Sequence, residues 1–330
     1  MPRIPFDCFS MKTEVHKILE GNQLAGARLI SRLEDEDPRG IEILKALYPQ
    51  TGKAFLIGIT GSAGTGKSTL VSRMISHLRS RGLRVGVVAV DPSSPFTGGA
   101  LLGDRIRMHG HETDPGVFIR SMAARGQPGG VSRAAREAAL VMDAMGYQAV
   151  VIETVGVGQG EIGVSSCVHT TAVVSIPGMG DEVQAMKAGL LEIGDVFIVN
   201  KADRPGADEL VRLLESVVSL RSYPADEWRP PVVKTVALKN EGVDALVDLL
   251  FQHRRHLEAS GRLGERLGRN DLHFFRQLVL EMAAKFFLRD SPELTRLREE
   301  LVRRAVDPYT AAERLIKFRR EKIDGGVTKT

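Results

Sequence analysis

Residues 54–69 read AFLIGITGSAGTGKST, an apolar run that ends at Gly61 and passes through a glycine-rich turn into Lys67 and Ser68. The spacing GxxxxGKS is typical of a loop whose backbone N–H groups surround a phosphate, because glycine allows the turn and the close approach that a Cβ would block. The apolar residues before the loop predict a strand, and the spacing of those after it predicts a helix. The expected phosphate contacts are Gly61, Ser62, Ala63, Gly64, Thr65, Gly66, Lys67, Ser68 and Thr69.

Two of these residues have side chains suited to phosphoryl chemistry. The helix that begins at the loop presents unsatisfied N–H groups and a dipole that favour an anion. Lys67 can reach the β- and γ-phosphates of a nucleotide, and the Ser68 hydroxyl is the expected Mg²⁺ ligand. A glycine-rich surface turn and a dinucleotide-binding fold are the alternatives, but the glycines at 61, 64 and 66 do not follow GxGxxG.

The composition limits the classes of protein to which this chain can belong. The chain has 330 residues, 43% of them hydrophobic, which suits one α/β domain with smaller additions and excludes a disordered chain. The net charge of +4 comes from mixed signs, so nucleic acid is not an expected partner. Cys8 and Cys167 lack a CxxC spacing, and neither a signal peptide nor an apolar run of ~18 residues is found. We expect a cytoplasmic protein that does not enter a membrane.

Strands and helices alternate between residues 54 and 250, the pattern of a mostly parallel sheet covered by helices. The Val and Ile runs of the strands indicate burial on both faces. Ligands in such folds bind beyond the carboxyl ends of the strands, so the residues after each strand are the candidates for a P-loop NTPase site. Strands are predicted at 54–60, 84–90, 149–153, 170–176, 195–200 and 231–237, with a short edge strand at 117–120.

Helical extensions are predicted on both sides of this domain. Residues 12–48 show three- and four-residue apolar spacings, with breaks at Gly21-Asn22 and Asp37-Pro38, and should pack on the domain that follows. Beyond residue 251, three apolar stripes must pack on the N-terminal helices or in a dimer interface. They are Leu272, Phe275, Val279, Met282 and Phe286; Leu294, Leu297 and Leu301; and Ala312, Leu315 and Ile316. The predicted domains are 1–50, 51–255 and 256–330.

Acidic residues follow two of the predicted strands. Asp91 follows the strand at 84–90, and Glu153 ends the strand at 149–153; Asp104 lies in the glycine-rich segment after Asp91. Carboxylates that face a phosphate loop are natural ligands of Mg²⁺ or of its water molecules. The alternative makes Asp91 a helix cap and Asp104 a solvated residue. The predicted metal residues are Ser68, Asp91, Asp104 and Glu153.

Two further segments have the features of nucleotide switches. In ETVGVGQG, from Glu153 to Gly160, the N–H of Gly156 is spaced to meet the γ-phosphate. Val157 stands where Ras-type enzymes carry a water-orienting Gln, which predicts slow hydrolysis unless a partner completes the site. The charged residues of segment 177–187, which follows another strand, fit either an exposed helix face or a third mobile segment.

NKAD at 200–203 is a candidate base reader. The carboxylate of Asp203 can accept hydrogen bonds from guanine N1–H and the exocyclic amine, whereas adenine would leave this charge unpaired. After the strand at 231–237, a backbone N–H can address guanine O6; Val236 stands where many GTPases have Ser, which weakens the side-chain brace there. A chance surface turn is the alternative to this motif. The predicted base contacts are Asn200, Lys201, Asp203, Val236, Ala237 and Leu238, and the nucleotide is GTP or GDP.

Five stretches together resemble the MeaB/ArgK family of G proteins. They are the phosphate loop, DPSSPFTGGALLGDRIRM at 91–108, ETVGVGQGE at 153–161, PGMGDEVQAMKAG at 177–189 and NKAD at 200–203. The similarity covers roughly residues 12–320, and the run at 91–108 is the most specific part. The departures are GSAGTGKS in place of the more usual Val-Pro after Gly61, and Val236 in place of Ser.

The resemblance implies a GTPase of the SIMIBI class that escorts an adenosylcobalamin-dependent acyl-CoA mutase, typically methylmalonyl-CoA mutase. Such a protein gates the loading of intact cofactor and helps to expel damaged cofactor, and the mutase accelerates its GTP hydrolysis. The resemblance also implies a homodimer held by the C-terminal helices. By position, Asp91, Asp104 and Glu153 match the switch acids, and residues 181–187 match an additional switch. The implied catalytic residues are Lys67, Asp104, Glu153 and Lys187.

Three other functions compete with this one. The family's older label, a kinase linked to amino-acid transport, would need an HRD-type catalytic loop and DFG, which the chain lacks. A metallochaperone GTPase for another metalloenzyme would bring a His-rich or Cys-rich segment, whereas the 8 His and 2 Cys here are scattered. A GTPase that targets membrane proteins would carry a methionine-rich groove, and the C-terminal helices offer only Met282.

Overall fold

The computed structural model describes residues 8–92, 110–111, 113–124, 130–154, 160–178, 190–224 and 226–327. Its strands are β1 Phe55–Thr60, β2 Val85–Pro92, β3 Val117–Ala124, β4 Ala149–Glu153, β5 Thr170–Ser175, β6 Val196–Val199 and β7 Val232–Lys234. They form a seven-stranded sheet in the order β3-β2-β4-β1-β5-β6-β7, and every pairing in it is parallel. The crossovers place the carboxyl ends of all these strands at one edge.

The predicted parallel α/β sheet is confirmed, with differences at its two edge strands, one of which, expected at 231–237, spans only Val232–Lys234. The edge strand expected at 117–120 is the longer β3, which pairs with β2 from Val117 to Ala124. The prediction that all strands are buried on both faces is wrong for β7, whose three residues are half-buried or exposed. The reason is topological, since β7 is an edge strand that pairs with β6 alone within the described sheet.

The helices cover both faces of the sheet. Those of the first 270 residues are α1 Cys8–Leu19, α2 Gln23–Glu34, α3 Pro38–Leu47, α4 Lys67–Ser80, α5 Gly130–Ala144, α6 Gly160–Ser165, α7 Leu190–Ile193, α8 Ala207–Ser219 and α9 Val243–Ala259. Helices α4 and α9 share one hydrophobic core with Ile57, Val87 and Val151. On the opposite face, α1, α2, α3 and α5 share a core with Val88, Val150 and Ile152. This confirms the predicted packing of the N-terminal helices on the sheet.

The breaks between the N-terminal helices lie where the sequence predicted them, and the structure shows their local causes. Asn22 caps α2 by accepting a hydrogen bond from Ala25 N, and Asp37 caps α3 by accepting one from Arg39 N. The entry into β1 depends instead on a distant residue. The Asp143 carboxylate, at the end of α5, accepts hydrogen bonds from Gly52 N at 2.5 Å and Ala54 N at 2.9 Å. Burial raises the pKa of Asp143, against the opposing effect of these amides.

The chain divides into two compact units at Asn270 and Asp271. Helix α10, Arg262–Phe287, spans this boundary, and α11 Pro292–Val302 and α12 Pro308–Val327 follow. In the second unit, Leu294 and Leu297 pack with Ala311 and Leu315. Of the predicted third stripe, Leu315 is buried, whereas Ala312 and Ile316 are exposed in the single chain, because α12 turns the 311–315 face towards α11.

The apolar stripe of α10 is largely exposed in the single chain, with Phe275 at 61% and Met282 at 70% of full exposure. No helix within the described ranges is both long enough and apolar enough to cross a bilayer.

Candidate nucleotide-binding site

The loop between β1 and α4 has a backbone that only glycine can adopt at two points. Gly61 has φ +136°, and a Cβ there would lie 2.1 Å from the carbonyl oxygen of Val174 in the neighbouring strand. Gly66 has φ +89°, and a Cβ there would lie 2.7 Å from Asn200 Nδ2. Helix α4 begins at the next residue, Lys67. The loop therefore delivers the N-terminal amides of α4 to the carboxyl edge of the sheet, as the sequence predicted for an anion site.

Lys67 folds back over this loop. Its ammonium donates hydrogen bonds to the carbonyl oxygens of Gly61 at 2.6 Å and Ser62 at 2.9 Å, and the residue is buried. Thr65 closes the same turn through its hydroxyl, which donates to Ser62 O at 2.9 Å. The cation is thus held within the loop that is predicted to bind phosphate, where its charge complements an anion.

Ser68 and Glu153 meet at the ends of α4 and β4. The Ser68 hydroxyl donates to Glu153 Oε1 at 2.6 Å, and both residues are buried. A hydroxyl and a carboxylate are the hard oxygen donors that Mg²⁺ prefers, so these two of the four predicted metal residues fit that ion. Within the parts of the chain that the structure describes, no group of three His, Cys, Asp or Glu side chains could hold a metal ion.

The other predicted metal residues are placed only in part. Asp91 belongs to β2, where its backbone is in register with Ala123 of β3, so it lies at the same carboxyl edge as Glu153. Its side chain, like all of Asp104, falls outside the described residues. So do Gly156, Lys187 and most of the segments 91–108, 153–161 and 177–189.

The segment that follows residues 93–109 is attached to α4. Asp114 accepts two hydrogen bonds from the Arg79 guanidinium, at 2.8 and 2.9 Å, and this pairing lowers the pKa of Asp114. His111 Nε2 lies 3.0 Å from the carbonyl oxygen of Ser72. The chain just beyond the predicted 91–108 switch is therefore attached, through His111 and Asp114, to the helix that starts at the phosphate loop.

Asn200 joins three parts of the site. Its Nδ2 donates to Thr65 O in the phosphate loop at 2.8 Å. Its Oδ1 accepts from Thr235 Oγ1 and from Ala237 N, each at 3.1 Å. The side chain is almost completely buried. One amide thus holds the phosphate loop and the loop after β7 at a set distance from each other.

The remaining residues of NKAD lie at the rim. Lys201 adopts φ +52°, unusual for a residue with a side chain, and its ammonium donates to Gly64 O at 2.8 Å. Asp203 forms an ion pair with Lys239, with 3.4 Å between Oδ2 and Nζ. Sequence reasoning missed Lys239, because nothing in the sequence relates it to Asp203.

The loop after β7 combines buried and open residues. Val236 and Ala237 are buried, whereas 76% of Leu238 is exposed at the surface. Residues Ala237–Lys239 form a single 3₁₀ turn, closed by an antiparallel bridge between Val236 and Glu241. The predicted base contacts of this loop, Val236, Ala237 and Leu238, thus lie at the carboxyl edge of the sheet. They are next to NKAD and on the same side of the sheet as the phosphate loop.

Comparisons with known sequences point to one family. A sequence profile described as "Methylmalonyl Co-A mutase-associated GTPase MeaB" matches residues 26–290. A protein from Pyrococcus abyssi is 45% identical over 323 residues, which cover 95% of this chain and 97% of the relative. GTPase ArgK of Escherichia coli is 35% identical over 261 residues, which cover 77% and 79% of the two chains. The mouse "Methylmalonic aciduria type A homolog, mitochondrial" is 32% identical over 322 residues, which cover 91% and 77%.

A solved structure agrees with these sequence matches. The crystal structure of a protein described as LAO/AO transport system kinase superposes with a TM-score of 0.72 at 27% identity, covering 96% of this chain and 100% of that chain. The match extends over the sheet and the helical segments on both sides of it. The P-loop fold predicted from residues 54–69 is thereby confirmed.

Proposed function

The chain belongs to the family of methylmalonyl-CoA mutase-associated GTPases, and from this premise we propose that it is a G-protein chaperone of an adenosylcobalamin-dependent acyl-CoA mutase. Its client is methylmalonyl-CoA mutase or a close relative, in the cytoplasm. It hydrolyses GTP to gate the loading of the cofactor and to protect or reactivate the mutase. No nucleic acid or membrane takes part.

The observation that carries GTP binding is the position of Asn200. Its side chain is hydrogen-bonded to Thr65 on one side and to Thr235 and Ala237 on the other. These contacts support the proposal that the phosphate-binding and base-reading motifs act as a single site. A chance surface turn with the sequence NKAD would have no reason to be buried against the phosphate loop.

The roles of the reacting groups follow from charge and position. Lys67 neutralises the β- and γ-phosphates by exchanging its bonds to Gly61 O and Ser62 O for bonds to phosphate oxygens. Ser68 and Glu153 would hold Mg²⁺, together with Asp91 and Asp104, and when bound this ion would neutralise charge on the phosphates. Asp203 and the loop after β7 select guanine.

Hydrolysis in this proposal is slow without the mutase. Val157 cannot orient a water molecule as the Gln of Ras-type enzymes does, so the partner completes the site. GTP orders the segments 91–108, 153–161 and 177–187, and hydrolysis releases them. Hydrogen exchange should then differ between the GDP state and the state with a GTP analogue in all three segments; identical protection would contradict the switch.

The proposal includes a homodimer. The stripe on α10 leaves Leu272, Phe275 and Met282 largely exposed in one chain, and an apolar stripe of this length is usually covered. A second copy of the same helix covers it symmetrically. The C-terminal helices thus form the dimerisation region, beside the N-terminal extension and the GTPase domain.

The test is GTP turnover by the purified protein, with and without methylmalonyl-CoA mutase. We expect a slow basal rate that rises manyfold with the mutase. The control is Ser68→Ala, which removes an expected Mg²⁺ ligand and should abolish both rates, so that the turnover can be assigned to this site. If the mutase neither binds nor changes the rate, the chaperone function is wrong, although a GTPase assignment would stand.

A further inference from the structure

Helix α4 also holds the loop after β7, at atoms other than those that Asn200 contacts. Arg73, in the second turn of α4, donates from Nε to Ala237 O at 3.2 Å and from Nη2 to Leu238 O at 3.4 Å. One turn further along, His77 Nε2 lies 3.0 Å from Asn240 Oδ1. The 3₁₀ turn Ala237–Lys239 is therefore attached to the helix that begins at the phosphate loop.

These contacts bear on a particular peptide group. The peptide between Ala237 and Leu238 contains Ala237 C=O and Leu238 N–H, and it is trans, as are all the peptides described. In a trans peptide the C=O and N–H vectors point in opposite directions within one plane. Because Arg73 binds the Ala237 oxygen, it sets the direction in which Leu238 N–H points.

The neighbouring amides are already occupied. Ala237 N donates to Asn200 Oδ1 at 3.1 Å, and Lys239 N donates to Val236 O at 2.9 Å. Among the described residues, no acceptor is found for Leu238 N–H. A guanidinium that binds the C=O of the same peptide also polarises its N–H as a donor.

The side-chain hydrogen bond that a Ser would supply is missing at position 236. The side chain of Val236 has no hydroxyl, so it cannot hydrogen-bond to Asp203 as a Ser side chain could. Besides its own backbone bridge and the His77 contact, the turn is held by side chains of Asn200 and of Arg73. Arg73 is itself exposed, and it touches the turn through backbone oxygens alone among the contacts described.

We propose that Arg73 is a positioning residue for guanine recognition, which fixes the Ala237–Leu238 peptide so that Leu238 N–H donates to guanine O6. The inference rests on the proposed GTP binding and deepens it. Asp203 reads the N1–H and amine edge of the base, and the Arg73-held peptide reads its oxygen. Recognition of guanine O6 is thus assigned to Leu238 N–H, and recognition of the guanine amine to Asp203.

The test is calorimetric binding of three nucleotides to the full chain: GDP, 6-thio-GDP and IDP. Sulfur at position 6 is a weak acceptor, so the affinity ratio of GDP to 6-thio-GDP reports on the O6 contact. IDP lacks the 2-amino group, so the ratio of GDP to IDP reports on Asp203. For Arg73→Met we expect the first ratio to fall about fivefold, while the second stays at its native value.

Two further variants complete the test. Arg81→Met is the matched control, because Arg81 follows α4 and donates to Asp248 at 2.7 Å without touching the turn, and it should keep both ratios. Arg73→Lys keeps one cationic donor and should recover part of the O6 discrimination. If Arg73→Met keeps the native GDP to 6-thio-GDP ratio, or if both ratios fall together, the role of Arg73 is wrong. If the native protein discriminates neither analogue from GDP, the proposed guanine site is wrong.

Discussion

Asp203 is the residue on which the choice of base depends. Its ion pair with Lys239, at 3.4 Å, joins side chains that are 41% and 55% exposed, respectively. A pair so accessible to water contributes less than about 1 kcal/mol. The carboxylate can therefore leave Lys239 for the two donors of guanine at little cost, and these donors then decide the specificity.

Replacing this carboxylate should change the preferred nucleotide. In Asp203→Asn the side chain offers a donor, which matches the 2-oxo group of xanthine and opposes the amine of guanine. We expect affinity for GTP to fall at least about a hundredfold and affinity for xanthosine triphosphate to rise, measured by competition binding. Asp208→Asn is the control, since Asp208 is an exposed acid at the same edge that pairs with Lys234 at 2.8 Å. An unchanged preference for GTP would mean that Asp203 does not read the base.

At the scale of elements, helix α10 is anchored to the sheet edge opposite the nucleotide site. Arg266 donates two hydrogen bonds to Asp195, just before β6, at 2.9 and 2.7 Å. One turn later, Asn270 Nδ2 donates to Val168 O at 3.0 Å. Arg136 of α5 completes the anchor by donating to Asn270 O at 2.9 Å. These contacts attach the first part of α10 to α5 and to the segments that precede β5 and β6.

Removal of the Arg266 contact should destabilise this anchor measurably. Arg266→Met leaves the mostly buried Asp195 carboxylate with Thr171 N and His253, so we expect a loss of about 2 kcal/mol in the free energy of unfolding. Arg262→Met removes a more exposed pair with Asp226, at 2.9 Å, and should cost less than about 1 kcal/mol. Urea denaturation measures both. Equal losses in the free energy of unfolding would show that the Arg266–Asp195 pair contributes no more to stability than the more exposed Arg262–Asp226 pair.

At the scale of the whole molecule, two buried histidines should make folding sensitive to acid. Burial lowers the pKa of His169 and of His253 to about 4, and the nearby Asp195 only partly offsets this for His253. In the unfolded chain a histidine titrates near 6.5, so the unfolded state binds more protons between these values. Stability is therefore complete above pH 6.5 and is lost as the pH falls towards 4.

The expected loss is about 3 kcal/mol for each histidine over this interval. Urea denaturation at pH 7.5, 6.0, 5.0 and 4.5 measures it. The double variant His169→Gln/His253→Gln should be less stable at pH 7.5 but should lose less on acidification, whereas His16→Gln, at an exposed site, should follow the native curve. A native stability that is constant from pH 7.5 to 4.5 would contradict the assignment.

The oligomeric state is the second property at this scale. Phe275→Asp places a charge in the exposed stripe of α10, and burying an unpaired charge in a symmetric apolar interface is unfavourable. We expect the native chain to be a dimer and this variant a monomer in light scattering coupled to size exclusion. Tyr309→Asp changes an aromatic residue of α12 that is 84% exposed and lies off the stripe, and it should remain dimeric. A native monomer, or a dimer that survives Phe275→Asp, would refute this interface.

The sequence by itself determined the features that local rules govern. The phosphate loop could be recognised because its turn gives Gly61 and Gly66 positive φ angles, a local backbone requirement that favours glycine in the motif. The strands could be recognised by their apolar runs, and the helix breaks by the dipeptides Gly21-Asn22 and Asp37-Pro38, where short-range caps stand in the structure. From these, the parallel sheet and the edge that bears the site followed.

Tertiary structure alone decided which distant residues meet. Arg73 binds Ala237 across 164 positions of the chain, Asn200 binds Thr65 across 135, and Asp143 binds Ala54 across 89. Burial, too, was decided by tertiary structure. Ala311 and Ala312 are adjacent residues of the same type, but only Ala311 faces α11. The residues next to a side chain in the sequence do not identify a partner that folding brings to it from another element. Patterns along the chain therefore identified the motifs, and the packing of strands and helices decided how they are held together.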